Sequence, residues 1–269
     1  MSNELVSIIM PSYNSARFIG QSIESIISQT YTNWELLITD DCSTDETVSV
    51  VQGYVQQDSR IKLFCMKTNG GAGKARNESI KNANGRYIAF CDSDDRWFPE
   101  KLEKQIRHMD EHDCALCSSS YLICNEEGKV IGVNYSPSRL TLGMMKRDNK
   151  IGCLTAIYDT QRLGHKYYMP VIRKRQDWAL FLNILKDCQV CYCLKEPLAF
   201  YSQHSQGSIS SDKTALIKYN VAVYETVFGY SKIKSWFYFF FLFLPSYTFK
   251  KLKIKYDSWR FLKHSTHNN

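Results

Sequence analysis

Four short apolar runs divide the first ninety residues, and each is followed by polar residues or a stretch with helical spacing. The runs are Leu5 to Met10, Trp34 to Thr39, Ile61 to Met66 and Tyr87 to Phe90. Their length and polar flanks read as buried strands. Between them, Ile19, Ile23, Ile26 and Ile27 recur at helical steps, and Ser43-Thr44-Asp45-Glu46 reads as a capping box opening a second helix. A third helix opens after Asn69-Gly70-Gly71-Ala72-Gly73 and ends at Asn84-Gly85. This alternation predicts an α/β chain whose sheet is mostly parallel, with right-handed crossovers. The polar residues at the strand ends, Tyr13 and Asn14, Asp40 and Asp41, Asp92 and Asp94, then fall on one edge of the sheet, where such folds bind ligands.

The fourth run ends abruptly in Asp92-Ser93-Asp94-Asp95. Three carboxylates this close repel one another and call for a cation. A hard divalent ion such as Mg²⁺ takes one or two carboxylates and completes its shell with phosphates and water. The residues read either as a metal bridge to a phosphorylated substrate or as an acidic, solvated turn. The glycine loop fits neither phosphate-binding fingerprint: Lys74 is followed by Ala75, and the Gly-x-Gly-x-x-Gly spacing is absent.

Past Asp95 the alternation changes. Pro99 suits the first position of a helix running to about Glu111. Ala115 to Cys124 and Lys129 to Val133 read as a hairpin, Arg139 to Arg147 as a helix, and Cys153 to Tyr158 as a strand. A basic, Tyr-rich loop over 159–175 leads into Gln176-Asp177-Trp178 and a helix. Two short strands, Val190 to Leu194 and Leu198 to Tyr201, precede a serine-rich loop holding His204, and Thr214 to Phe228 reads as helical.

With 269 residues the chain can bury a substantial core as one large α/β domain or two small ones. Its net charge of +7 is concentrated late: from Lys232 onward eight Lys and Arg face Asp257 alone. That tail follows nine apolar residues, Trp236 to Leu244, too few for a span of about twenty. The segment is either a helix buried against the body or an interfacial helix with a basic flank. A basic tail beside aromatics points to an anionic membrane surface rather than nucleic acid. The N-terminus carries no secretory signal pattern, so the ten cysteines are expected as free thiols. Cys114/Cys117 and Cys188/Cys191 lie too far apart for a zinc ribbon and sit in apolar runs, which suits small buried hydrophobes.

Taken in order, Val6-Ser7-Ile8-Ile9-Met10-Pro11-Ser12-Tyr13-Asn14, Ile38-Thr39-Asp40-Asp41-Cys42-Ser43-Thr44-Asp45, Ala75-Arg76-Asn77 and Asp92-Ser93-Asp94-Asp95 resemble the successive motifs of family-2 glycosyltransferases. The resemblance implies a GT-A fold, a Rossmann-like mostly parallel central sheet flanked by helices. It implies a nucleotide-sugar-binding half over 1–97 and an acceptor-binding half over 98–212, followed here by a C-terminal helical extension over 213–269. It implies a nucleotide-sugar donor and a divalent metal, Mn²⁺ or Mg²⁺. Pro11, Tyr13, Asn14 and Asp41 would meet the base and ribose, Asp92 the ribose with Ser93 beside it, and Lys74 and Arg76 would add donor contacts. Asp94 would ligate the metal with Asp95 nearby. The family's Glu-Asp pair on the acceptor side reads Gln176-Asp177 here, so Asp177 is the candidate base and Gln176 brings no charge; Trp178 follows as an acceptor contact. His204 is either the cation of a loop closing on the diphosphate or an ordinary loop histidine, and Asp177 is either the base or a helix N-cap.

The implied activity is an inverting transfer of galactose or glucose from a UDP-sugar to a lipid-diphosphate-linked sugar in O-antigen or capsule synthesis, at the inner face of the cell membrane. The alternatives are a sugar nucleotidyltransferase and a non-catalytic membrane-associated scaffold.

Overall fold

The computed structural model describes residues 3–203 and 213–265 of the chain. The first four runs form strands: β1 (Val6–Ser12), β2 (Trp34–Asp40), β3 (Ile61–Cys65) and β4 (Tyr87–Phe90). They alternate with α1 (Ile19–Ile27), α2 (Thr47–Gln57) and α3 (Ala72–Asn82). β1 pairs in parallel with β2 and with β4, and β2 with β3. Because successive strand residues face opposite ways, Ile8 and Met10 pack with Ile19, Ile23 and Ile26 of α1, while Ile9 packs with Ile80 of α3 on the other side.

The second stretch adds β5 (Arg96–Trp97), α4 (Lys101–Glu111), β6 (Leu116–Cys124), β7 (Val130–Asn134), β8 (Arg139–Thr141), α5 (Leu142–Arg147), β9 (Ile157–Asp159), α6 (Thr160–Leu163), α7 (Gln176–Cys188) and β10 (Val190–Ser202). The strands complete one ten-stranded sheet, ordered β3-β2-β1-β4-β9-β6-β10-β5, with β7 on β6 and β8 on β10. β9 runs antiparallel to both β4 and β6 and joins the two stretches. The chain ends in α8 (Lys213–Phe228), α9 (Lys232–Tyr238), a π-helical turn (Phe239–Phe243) and α10 (Leu244–Ser265).

Several local expectations are corrected. The helix expected over Arg139–Arg147 is split: Thr141 ends β8, and its side chain accepts from Met144 N to cap α5. The two strands expected around Pro197 are one strand, β10, with register shifts on either side of Pro197; proline donates no hydrogen bond, so a ladder passes it only at an irregularity. Cys153–Thr155 is a 3₁₀ turn before β9 rather than strand. The capping box does not form, because Ser43 Oγ donates to Asp40 Oδ1 at 2.5 Å and α2 begins at Thr47, whose N–H bonds Asp45. Cys114, Cys117 and Cys191 are buried and Cys188 half-buried, all free, and burial pushes each thiol up.

Trp236 to Leu244 is buried on one side and exposed on the other. Phe239 and Phe243 pack into the core beside Trp178, while Phe237, Phe240 and Phe241 face outward. Among the described residues, no helix is long and apolar enough to cross a membrane.

Candidate active site

The C-terminal ends of β1, β2 and β4 converge as their parallel pairing requires, and a dense hydrogen-bond frame holds the connecting loops. Asp40, buried at the end of β2, accepts from Ser12 Oγ and from both the N–H and Oγ of Ser43. Asn14 takes a left-handed turn (φ 46°). Its N–H donates to Ser43 Oγ and its Oδ1 accepts from Thr44 N at 2.8 Å. Tyr13 beside it is about half exposed at the edge, and Pro11 lies in β1 opposite Thr39.

Asp41 is buried, and its two carboxylate oxygens accept from the backbone N–H groups of Gly70 and Gly71 at 2.6 and 2.7 Å. The glycine loop is therefore tied to the end of β2 by a carboxylate. Gly71, at φ 83°, turns the chain into α3. Gly73 lets Gln176 pack close, since a Cβ there would lie 2.3 Å from Gln176 Nε2 and would displace its amide. This close approach brings the start of α7 onto the start of α3. Lys74 points outward, whereas Arg76 is buried and donates to Asp92 Oδ1 at 2.5 Å. Burial works against the Arg76 charge, but Asp92, with Asp177 beyond it, more than offsets that and holds the guanidinium above its ordinary pKa.

The acidic turn divides its labour. Asp94 lines a cleft with Arg17, Gln21, Ser22, Arg96 and Ser202. Ser93 is fixed through its carbonyl by Ser22 Oγ. Asp95, expected near the metal, is buried: its Oδ1 accepts from Ser202 N at 3.0 Å, joining the turn to the end of β10. Burial, with Asp94 and Asp92 adding to it, pushes the Asp95 carboxyl well above the usual range. Asp94 thus presents a carboxylate to a cleft that also holds Arg17 and Arg96. It fits a hard divalent cation that takes Asp94 and draws its other ligands from a diphosphate and water. Among the described residues, the grouping of three ligand atoms within 4.8 Å lies elsewhere, at His108, Glu111 and His112 at the C-terminal end of α4.

Asp177 is not a helix cap. The N-cap position of α7 is Arg175, in left-handed conformation and without a side-chain cap, and Asp177 lies in the first turn. Its Oδ2 accepts from Asn149 Nδ2 at 2.9 Å. Gln176 donates to Ile172 O at 2.5 Å and packs over Gly73. Trp178, expected at the acceptor, is fully buried: its indole N–H donates to Met145 O at 2.7 Å, and its ring meets Tyr224 and Phe243. It braces α7 and cannot touch a sugar. His204 lies outside the described residues.

The two stretches meet where Gln176 packs over Gly73. Burial pushes the Cys153 thiol up, with Arg76 opposing and Asp92, Asp177 and Asp95 adding to the shift. Asp177 thus shares a neighbourhood with the end of β4. Asn149 is the site residue that sequence reasoning missed, and the polar run Arg147-Asp148-Asn149-Lys150 offers no pattern that singles it out.

Residues 7–164 match the family described as "Glycosyl transferase family 2". The chain belongs to that family. It is 39% identical over 224 residues to the putative teichuronic acid biosynthesis glycosyltransferase TuaG of Bacillus subtilis, covering 83% of this chain and 88% of that protein. It is 40% identical over 218 residues to the UDP-Glc:alpha-D-GlcNAc-diphosphoundecaprenol beta-1,3-glucosyltransferase WfgD of Escherichia coli, covering 81% and 84%. Its fold is similar to that of S. aureus TarS 1-349 in complex with UDP-GlcNAc, with a TM-score of 0.69 and 22% identity over 86% of this chain and 69% of that one. The mannosyltransferase PcManGT of Pyrobaculum calidifontis, in complex with GDP-Man and Mn²⁺, gives a TM-score of 0.57 at 16% identity, covering 86% and 66%. The family-2 glycosyltransferase thus has the GT-A fold: a mixed sheet flanked by helices, with a helical C-terminus.

Proposed function

We propose that this family member transfers glucose from UDP-glucose, with inversion, to a hydroxyl of a sugar carried on a lipid diphosphate, in the synthesis of a surface polysaccharide. The observation that carries the reading is the close approach of Gln176, next to Asp177 on α7, to Gly73 of α3, the helix whose Arg76 pairs with Asp92 at the end of β4. That approach brings a carboxylate from the acceptor-side helix toward the donor-side sheet edge. The printed name of WfgD supports the donor and acceptor, as does that of WfaP, another E. coli relative of the same description at 39% identity. Glucose is favoured over galactose on those names.

In this reading the base and ribose lie near Pro11, Tyr13, Asn14 and Asp41, and the diphosphate lies at the cleft beside Asp94. A divalent metal bound at Asp94 would neutralise charge on the leaving diphosphate. Asp177 removes the proton from the acceptor hydroxyl. That oxygen bonds to the anomeric carbon as the carbon–oxygen bond to UDP breaks on the opposite face, so an α-linked donor gives a β-linked product. Asn149 keeps the carboxylate of Asp177 aimed, and the Arg76–Asp92 pair fixes the floor between the two substrates. The acceptor's lipid places the enzyme peripherally on the inner face of the cell membrane.

A panel of UDP-, GDP- and dTDP-sugars tests the donor, read by thermal shift and by slow release of nucleotide with Mn²⁺ or Mg²⁺. UDP-glucose should give the largest stabilisation and release UDP. A preference for a GDP- or dTDP-sugar overturns the donor assignment, and release of pyrophosphate would indicate nucleotidyl transfer instead.

A further inference from the structure

The C-terminal helices carry an outward face that the domain does not use. Phe237, Phe241, Phe249, Leu252, Tyr256 and Trp259 are each between 55 and 70% exposed. From Phe249 onward they recur at steps of three and four residues, one stripe along α10. Isolated exposed hydrophobes are ordinary, but a contiguous aromatic stripe on one helix face marks a contact surface.

The opposite side of α10 is firmly seated. Ser258 Oγ accepts from Val133 N at 3.0 Å and donates to Val133 O at 3.2 Å on β7. Gly132 permits this approach, since a Cβ there would lie 2.5 Å from Ser258 Oγ. Lys250 turns inward to donate to Asp148 Oδ1 at 2.9 Å and Asn149 O at 2.6 Å. The stripe is therefore held outward by contacts behind it.

Charge identifies the occupant. Lys251, Lys253, Lys255, Arg260 and Lys263 lie on the exposed part of the same helix, with Asp257 as its acidic residue, paired to Lys253. Lys263 lies over the Trp259 ring and Arg260 over that of Tyr256, so cations border the aromatics. A soluble apolar partner would call for the stripe alone. Aromatics bordered by lysines suit the headgroup level of an anionic bilayer.

We propose that α9 and α10 lie in the plane of an anionic lipid surface, with the stripe from Phe237 to Trp259 inserted and the lysines against the headgroups. This deepens the function proposed above and rests on it for one consequence only. Through Lys250 and Asn149, the lipid-facing helix is two side chains from Asp177, so docking would bring the candidate base to a lipid-borne acceptor.

Flotation of the full chain with vesicles tests it. The chain should float with phosphatidylcholine vesicles containing phosphatidylglycerol and not with phosphatidylcholine alone, and added salt should release it. Tryptophan emission should shift to the blue on binding. The pair Phe249→Ser with Trp259→Ser, and separately Lys251→Glu with Lys255→Glu, should each weaken partition about tenfold or more. Both variants should keep wild-type release of UDP from UDP-glucose in solution. Failure of the wild type to float with anionic vesicles overturns the proposal, as does unaltered flotation of the stripe variant. So does a wild-type dimer that the stripe variant loses, since the occupant would then be a second copy. Flotation without UDP release would overturn the UDP-glucose donor proposed above and leave the docking surface standing.

Discussion

Asp177 gains its setting from residues far away in sequence. Asn149 donates to its carboxylate, and Asn149 is itself held through its carbonyl by Lys250. A group aligned in this way loses rate when its support goes, because small displacements of a reacting group cost up to about a hundredfold. Asn149→Ala should lower kcat by about ten- to a hundredfold and leave the donor KM unchanged; steady-state kinetics at saturating acceptor read both. Asp94→Ala should weaken Mn²⁺-dependent binding of UDP-glucose by about tenfold or more, measured as a calorimetric metal titration, because the ion would lose its cleft-facing carboxylate. Unchanged metal dependence would remove Asp94 from that role. Asp95, buried on Ser202 N–H, should act on stability rather than metal affinity. Asp177, Asp94 and Asp95 were singled out in the sequence and Asn149 was not, and the partners of none of them were legible there. Asp41 binding the glycine loop and Trp178 filling the core are contacts between segments, and no local pattern records them.

At the scale of elements, α4 carries a lysine that a core seldom holds. Lys101 is fully buried over the Trp97 ring at 3.9 Å, and its Nζ has no hydrogen-bond partner. Burial pulls its pKa from 10.5 down to about 7. The unfolded chain therefore binds more protons than the folded one from about pH 7 up to the ordinary lysine value, and stability rises with pH across that window through this group. Lys101→Met should raise Tm near pH 7 and flatten the slope between pH 7 and 9 relative to wild type; each kcal/mol gained appears as about 2–4 °C. In α10, Lys250→Met takes from buried Asp148 its nearer cation, while Lys150 remains at 3.8 Å. The loss in a denaturant titration should thus stay below the ~3 kcal/mol of a fully broken buried pair. The first three βα units were legible because each records its own periodicity. The second half was less so: Thr141 serves as both strand end and helix cap, and β10 runs through Pro197 because neighbouring strands supply the ladder around it.

For the whole molecule, one sheet spans both stretches of the chain. β9 runs antiparallel between β4 and β6, so the edge bearing Asp92 and Asp94 and the helix bearing Asp177 belong to one continuous core. Gln176 packs over Gly73 where they meet. The C-terminal helices close the far side of that core with Phe239, Phe243 and Tyr224 against Trp178. The outward stripe and the inward clasp are thus two faces of one extension. The central claim is that the Asp177 carboxylate acts on an acceptor beside a donor bound at the sheet edge. Asp177→Asn tests it most directly, measured with Mn²⁺, UDP-glucose and a diphospholipid-linked N-acetylglucosamine acceptor. The variant should bind UDP-glucose with wild-type affinity and transfer about 10²–10⁴-fold more slowly; transfer at the wild-type rate would contradict the account.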